Sequence, residues 1–556
     1  MTTATQPLLD YTRLAAHTAG LAFLDSRGVT GELTYADLAT KAHTAAAALH
    51  SRGLRPGDRA VLPMPSGPDY FTALAGCLLA GIAPCTVVIP NNPHDTESAG
   101  MRQFAAVLSV VRPAAVITID RDTAKLLAAG PGPLHLHPDD LRHAPPDSYQ
   151  PAIPGPDTVH HIQLTSGSTS APKAAALTYA QVTANVHAIL DIFDLTPGHD
   201  RLCNWLPLHH DMGFVVALSA LHSGTPLDSM SPMSFLRDPL SWLRHISQRG
   251  VTLTSGPPFG YRTAVERHRR NPAEDLDLSR LRQAHVGAEP IPYSVLADFR
   301  DTFAPHGLAA DTLMPCYGMA ETVLVATMSL KHHPTTDHSW GRVKALRLDR
   351  EALHHHNTIT DARDDRPDIT VVACGQPVGG LTTAIRHPDG TACQDNEIGE
   401  IHLHGDSVMA GYLDPDGQPT VLPDRTHATG DLGFHRDGDL YIVGRIKEML
   451  IVRGRNLPPY DVEQTIETLP AVGAGNSAVF SHADNDGEHV IAVIETRAPA
   501  DQADALRLEI ATLVRQTFGF SPREIILVRR GRIPRTTSGK RQRAQLRQQY
   551  LTGGLS

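Results

Sequence analysis

Val159-His-His-Ile-Gln-Leu164, running into Thr165-Ser-Gly-Ser-Thr-Ser-Ala-Pro-Lys173, is the stretch on which the fold turns. A short apolar run, read as a strand, delivers small hydroxyl residues, a glycine and a lysine into one tight loop. Gly167 relaxes the backbone so that consecutive N–H groups can converge on an anion. Ser166, Ser168 and Thr169 add hydroxyl donors, and Lys173 adds a mobile positive charge. By composition this is a phosphate cradle. It lacks the Gly-x-x-x-x-Gly-Lys-Ser/Thr spacing of a Walker loop. Standing alone, it would read more readily as a Ser/Thr-rich surface turn.

Outward from that loop, 556 residues exceed what one hydrophobic core organises, so more than one domain is expected. Apolar residues make up 41% and charged residues 19%, an ordinary globular balance with material for large cores. A formal net charge of −10 argues against a nucleic-acid footprint and against a basic membrane-binding surface. The 5% aromatic share also disfavours base-stacking platforms. Cys77, Cys85, Cys203, Cys316, Cys374 and Cys393 form no Cys-x-x-Cys pair, and read as reduced thiols of a cytoplasmic protein. The first residues lack the basic start and apolar core of a signal peptide. The most membrane-like run, from Phe71 to Pro90, is interrupted by Gly76, Gly81 and Pro84. It reads as a buried helix turning into a strand at Thr86-Val-Val-Ile-Pro.

Strands and helices alternate on both sides of the loop. Residues 34–49 have helical apolar spacing, while Arg59-Ala-Val-Leu-Pro and Ala114-Ala-Val-Ile-Thr-Ile read as buried strands. Residues 178–195 read as a helix ended by Pro197-Gly198. The alternation continues through Val251-Thr-Leu-Thr-Ser and Gln283-Ala-His-Val-Gly to Pro315-Cys-Tyr-Gly. Beyond Gly375 strands dominate, with Asp-Gly turns between Glu400-Ile-His-Leu-His-Gly and Leu440-Tyr-Ile-Val-Gly. The expected fold is α/β: a large N-terminal domain of helix-covered sheets with a small β-rich subdomain, then a small mobile C-terminal α/β domain. The division is placed at residues 1–445 and 446–556.

Seven further segments stand in one order along the chain. They are Asn204-Trp-Leu-Pro-Leu-His-His-Asp-Met-Gly213, Met230-Ser-Pro-Met-Ser-Phe-Leu236, Gly287-Ala-Glu-Pro290, Tyr317-Gly-Met-Ala-Glu321, Thr429-Gly-Asp-Leu-Gly433, Gly444-Arg-Ile-Lys-Glu-Met-Leu-Ile-Val-Arg-Gly-Arg-Asn456 and Pro534-Arg-Thr-Thr-Ser-Gly-Lys-Arg-Gln-Arg543. With the loop, they resemble the adenylate-forming superfamily of acyl-CoA ligases, luciferases and adenylation domains, and within it the fatty acyl-AMP ligase branch. The resemblance implies ATP-dependent activation of a carboxylic acid to an acyl adenylate with release of pyrophosphate. It further implies transfer of the acyl group to an acyl carrier protein.

Residue by residue, the resemblance implies that Thr165, Ser166, Gly167, Ser168, Thr169 and Lys173 hold the β- and γ-phosphates. Ser170 and Ala174 stand where CoA-ligase relatives usually have glycine. Glu321 would hold magnesium, a hard cation suited to one carboxylate plus phosphate oxygens and water. Tyr317 would stack on adenine, with Gly318, Met319 and Ala320 beside it and Gly287, Ala288 and Glu289 opposite. Val286 replaces the asparagine common in the family just before that glycine. Asp431 would accept the ribose hydroxyls, with Arg445 close by. Lys447 falls at the hinge position, exposed and free to carry a backbone rotation. Lys540 would bridge the substrate carboxylate and α-phosphate as charge builds, although its many neighbouring arginines also fit a solvated basic tail. His210 would sit at the gate between acid and AMP. Zinc at His209-His210-Asp211 is not expected, because adjacent residues of a strand point apart.

Glu321 and Cys374 lie about 53 positions apart, long for a plain connection. The resemblance implies that residues 322–374 hold the extra insertion of fatty acyl-AMP ligases, which packs on the large domain and hinders thioester-forming rotation. A disordered loop over residues 354–368, with His354-His-His356 solvated, is the alternative. Two rival functions remain: a complete acyl-CoA ligase, which would have a short link here, and a non-catalytic nucleotide-binding scaffold.

Overall fold

The computed structural model describes residues 8–90, 95, 97–119, 132–144, 149–151, 154–165, 172–336, 338–365, 367–452, 455–484, 487–536 and 539–555. Among them, the largest sheet has nine strands. Six parallel strands form its middle, in the order Leu313–Gly318, Gln283–Val286, Leu253–Gly256, Leu202–Asn204, Leu227–Met230 and Gly20–Leu24. Antiparallel strands close both edges: Val29–Thr34 at one, Val325–Met328 and then Gln376–Pro377 at the other. Such strands are covered on both faces and so read as continuous apolar runs.

A second, parallel sheet runs Ala83–Thr86, Arg59–Leu62, Ala115–Ile117, Leu134–Leu136. Here the sequence reading needs correction. The helix Pro68–Leu79 is followed by a strand at Ala83–Thr86, earlier than expected, and Val88 and Ile89 are 46% and 41% exposed. Pro84 lies inside that strand, opposite Ala60. It is tolerated because the strand is at the sheet's edge, where a missing N–H leaves no ladder bond unmade.

The phosphate-cradle stretch is a hairpin. Val159–Thr165 pairs antiparallel with Lys173–Thr178, which pairs in turn with Gly411–Tyr412. The helix Tyr179–Phe193 then begins on a capping box, in which Thr178 and Gln181 satisfy each other's backbone N–H groups. A four-stranded antiparallel sheet, Thr382–Arg386, Gly399–His404, Thr426–Arg436 and Asp439–Arg445, forms the β-rich subdomain. No helix among the described residues is long and apolar enough to cross a membrane.

The described residues among 322–374 are folded against the rest of the protein, which goes against the disordered-loop alternative. Ser339–Trp340, Val343–Asp349 and Asp368–Val372 make a small sheet. Trp340, Val343, Ala345 and Val372 belong to the core under the large sheet, and Arg300 lies 4.4 Å over the Trp340 ring. The helix Arg350–His356 starts on Asp349, whose carboxylate accepts from the Ala352 N–H. His354 is buried, not solvated, and its Nε2 lies 2.8 Å from Asp461 Oδ2. Phe518 is the neighbour of both the His354 ring and the Arg350 guanidinium.

Residues 450–555 carry their own two cores, gathered around Val462, Ile510 and Val490 and around Phe480, Val493 and Leu546. Ser477–Asp484, Gly487–Glu495 and Glu524–Val528 form the sheet, flanked by the helices Pro459–Glu467, Ala503–Phe518 and Arg543–Leu551.

Candidate active site

Thr165, Asn204, Gly287 and Tyr317 stand at or just beyond the ends of strands. Asn204 ends its strand and ties the following turn. Its amide donates to Gly213 O at 2.8 Å, and its Oδ1 accepts from the Leu206 N–H at 3.0 Å. That turn carries His209 and His210, with His210 at the start of the helix Asp211–Ser223. The histidines are therefore in a turn and not a strand, and their rings lie 4.6 Å apart, so the alternation argument against zinc does not apply to them. Among the described residues they belong to no group of three or more ligating side chains. Gln163, two residues before Thr165, donates to His209 O at 2.8 Å and fixes the hairpin to this turn.

Burial, then His209 and then Lys540 hold the His210 pKa well below the usual imidazole range. Burial alone lowers His209 to about 4. Both rings are neutral at pH 7. Asp211 is pushed up by burial, against the opposing charge of Lys540. Glu289 is likewise pushed up by burial, with Lys540 and Arg541 pulling it down. Lys540 therefore acts electrostatically on His210, Asp211 and Glu289 at once, more than 250 positions away along the chain. The contact that brings it there is close: a Cβ on Gly539 would lie 3.0 Å from the Phe259 ring. Gly539 also has φ +88°, so glycine is required twice over.

Lys540 sits on a short loop held at both ends. Its N–H donates to Thr536 Oγ1 at 3.0 Å, and its carbonyl accepts from the Thr536 N–H at 2.8 Å. The Ile533 N–H donates to buried Glu495 at 2.7 Å. On the other side, Arg541 and Arg543 are not a solvated tail. Arg541 pairs with Glu463 and Glu467, while Arg543 reaches Glu463 at 2.7 and 2.8 Å and Glu448 at 2.6 Å.

Tyr317 and Asp431 meet across the two sheets. The tyrosine hydroxyl donates to Asp431 Oδ2 at 2.7 Å, and Arg445 grips both carboxylate oxygens at 2.6 and 3.2 Å. Asp431 and Arg445 are cross-strand partners, which fixes that pair. Gly287 packs closely beside the strand that carries Tyr317, because a Cβ there would lie 2.7 Å from Cys316 Sγ. Ala288 follows in the left-handed region at φ 68°. Gly318, Met319 and Ala320 lead from Tyr317 into the turn that carries Glu321.

Glu321 accepts a hydrogen bond from the Tyr412 hydroxyl. Lys173 lies 4.8 Å over the same tyrosine ring, and Thr165 also hydrogen-bonds the hydroxyl. His427 sits in the combined field of Glu321, Lys173 and Asp431. Thr165, Lys173, Glu321 and Asp431 are thus linked through Tyr412 and His427, two residues that the sequence reading missed. No motif marks either one; Tyr412 is placed only by the pairing of Gly411–Tyr412 on the hairpin. Ser166, Gly167, Ser168 and Thr169 lie outside the described residues. Lys447 is exposed in the turn that follows Arg445.

The profile of the AMP-binding enzyme family matches residues 12–413, and that of the Disco-interacting protein 2-like AMP domain matches residues 447–556. The medium-chain fatty acid acyl-carrier-protein ligase JamA of Moorena producens is 31% identical over 549 residues, covering 94% of this chain and 90% of its own. The long-chain fatty acid AMP ligase FadD26 of Mycobacterium marinum is 30% identical over 575 residues, covering 96% and 94%. A solved structure from a study of fatty acyl-adenylate ligases of E. coli and L. pneumophila superposes with a TM-score of 0.89 at 31% identity, covering 99% of this chain and 98% of that one. The chain belongs to the AMP-binding enzyme family, in its fatty acyl-AMP ligase branch.

Proposed function

We propose that the protein activates a fatty or other bulky carboxylic acid to its acyl adenylate and passes the acyl group to the phosphopantetheine thiol of an acyl carrier protein. The carrying observation is the convergence of Lys540 with His210, Asp211 and Glu289, beside the linked set Lys173, Glu321 and Asp431. A carboxylate oxygen attacks the α-phosphorus of ATP, the bond to the β-phosphate oxygen breaks, and pyrophosphate leaves with that electron pair. Two anions must meet, so positioning and charge compensation do the catalytic work. Lys540 supplies compact positive charge at the meeting point. Neutral His210 lines the gate without adding a second cation that would compete for the substrate carboxylate. Asp431 and Arg445 seat the ribose, Tyr317 and the 287–289 wall enclose adenine, and Thr165 to Thr169 with Lys173 hold the β- and γ-phosphates.

The donor set beside the hairpin fits magnesium. Glu321 offers one carboxylate, and a phosphate-bound magnesium needs only one or two from protein. When bound, the ion would neutralise charge on the phosphates. Glu321→Gln is expected to lower the maximal exchange rate by about 100-fold and to raise the magnesium needed for half-activity. A magnesium dependence equal to the parent's would move the metal elsewhere. The reaction itself is tested by acid-dependent exchange of labelled pyrophosphate into ATP over a panel of fatty, aromatic and polycyclic acids. No exchange with any of them would favour the scaffold reading.

Residues 1–445 act here as the ATP- and acid-binding unit, and residues 446–556 as the unit that supplies Lys540, with Lys447 as the pivot. Carrier protein is favoured over CoA as acceptor because the insertion is fastened to the small unit through His354 and Asp461, and through Arg350 and Phe518. The double variant His354→Ala, Arg350→Ala is expected to keep pyrophosphate exchange within about 3-fold while raising acyl-CoA formation on the order of 10-fold. Rapid acyl-CoA formation by the parent enzyme would instead support the CoA-ligase rival.

A further inference from the structure

One cluster of ligating side chains stands outside the adenylating site. The strand Thr382–Arg386 leads into a tight turn over residues 387–390. There the His387 N–H donates to Thr391 O, and the Gly390 N–H donates to His387 O, each at 2.9 Å. The chain returns with the Cys393 N–H donating to Ile385 O at 2.9 Å, and a second turn brings Glu397 back. Glu397 Oε2 accepts from the Gln394 N–H at 2.7 Å, which fixes its carboxylate. As a result the ligating atoms of His387, Cys393 and Glu397 all lie within 4.8 Å of one another, and His387 Nε2 is 3.3 Å from Glu397 Oε2.

The geometry points to a zinc-class divalent cation site formed by the His387 imidazole, the Cys393 thiolate and the Glu397 carboxylate, with water as fourth ligand. Bond lengths of about 2.0–2.3 Å in tetrahedral geometry put donor atoms about 3.3–3.8 Å apart. The imidazole and carboxylate already stand at that spacing, and the thiol has to close in by roughly 1 Å. Nitrogen, sulfur and carboxylate oxygen together form a set suited to zinc and poorly suited to magnesium. One thiolate and one carboxylate also balance the ion's two charges.

Room for the sulfur is built in. A Cβ at Gly399 would lie 2.8 Å from Cys393 Sγ and 2.3 Å from Arg386 O, so any side chain there would take the thiol's place. Cys393 is also the exception among the six cysteines, the other five being buried. Burial, then Glu397 and Asp389, push its thiol pKa up, so the thiol keeps its proton until a cation binds. Binding the cation would release that proton to solvent and form the sulfur–metal bond. The second turn is tied to its surroundings: Glu397 bridges to Thr358 of the insertion, and the Asn396 N–H donates to His435 O at 2.9 Å. A bound ion would therefore clip this hairpin to the edge of the insertion.

The test uses the full-length enzyme, stripped with a chelator and titrated with cobalt(II) as the spectroscopic stand-in. One equivalent is expected to give the strong visible bands of four-coordinate cobalt and a sulfur-to-cobalt charge-transfer band, both displaced by zinc. Cys393→Ser and His387→Ala are each expected to weaken binding by on the order of 100-fold. The same variants should leave magnesium-supported pyrophosphate exchange within about twofold of the parent, as substitutions outside the machinery do. Zinc should also block thiol-reagent labelling of Cys393, and chelator should restore it. A charge-transfer band that is missing, or that persists in Cys393→Ser, overturns the site, as does labelling indifferent to zinc.

Discussion

Replacing Lys540 with alanine lowers acid-dependent pyrophosphate exchange by about 100- to 1,000-fold and leaves ATP affinity within a few-fold of the parent. The asymmetry follows from geometry. Lys540 acts electrostatically on His210, Asp211 and Glu289, whereas the groups proposed for ribose and phosphate are Asp431, Arg445, Lys173 and Glu321. On the proposed reading its charge is felt where the acid and the α-phosphate would meet, so it should matter most as charge develops. ATP binding followed by nucleotide fluorescence, beside the exchange assay, separates the two effects. An equal loss in both would assign Lys540 to ground-state binding. Loss in neither would remove it from the reaction.

The second large effect is on stability. Glu463 is fully buried, and its carboxylate accepts from Arg541, Arg543 and the Val479 N–H. Burial alone would raise its pKa, but Arg541 and then Arg543 outweigh it and hold it at about 2, from an ordinary 4.5. A carboxylate lowered on folding stabilises above its unfolded value. Its contribution is complete above about 4.5 and lost as pH falls through about 2. Glu463→Gln leaves two buried guanidinium groups short of a counter-charge, which costs about 3–5 kcal/mol. Amide exchange over residues 450–555 would show the loss, and the variant's stability would fall less steeply below pH 4.5 than the parent's. Unchanged protection in that region would mean that the arginines are compensated by other groups.

Much of the site was legible because its residues sit at strand ends, where short apolar runs give way to glycine and hydroxyl residues. Thr165, His210, Gly287 and Tyr317 all follow such runs. What escaped was whatever depends on partners far apart in sequence. Tyr412 acquires its place by pairing with Ala175, more than 200 positions earlier. Arg541 and Arg543 looked like a solvated basic run until Glu463, Glu467 and Glu448 were seen to face them. Polar composition made residues 354–368 look unstructured, yet His354 is buried against Asp461 and Phe518. The strand read from Thr86 onward instead spans Ala83–Thr86 with Pro84 inside it, at a sheet edge that cannot be read from one strand alone.

Arg445 has one more consequence. It is bonded to Asp431, and it is also the last residue of its strand, immediately before the exposed turn at Ile446–Glu448. A single side chain thus spans the residue proposed to anchor the sugar and the proposed joint. On the proposed reading, departure of the nucleotide would change the grip on that joint in the same instant, so emptying the pocket and freeing the lysine-bearing half would be one mechanical event.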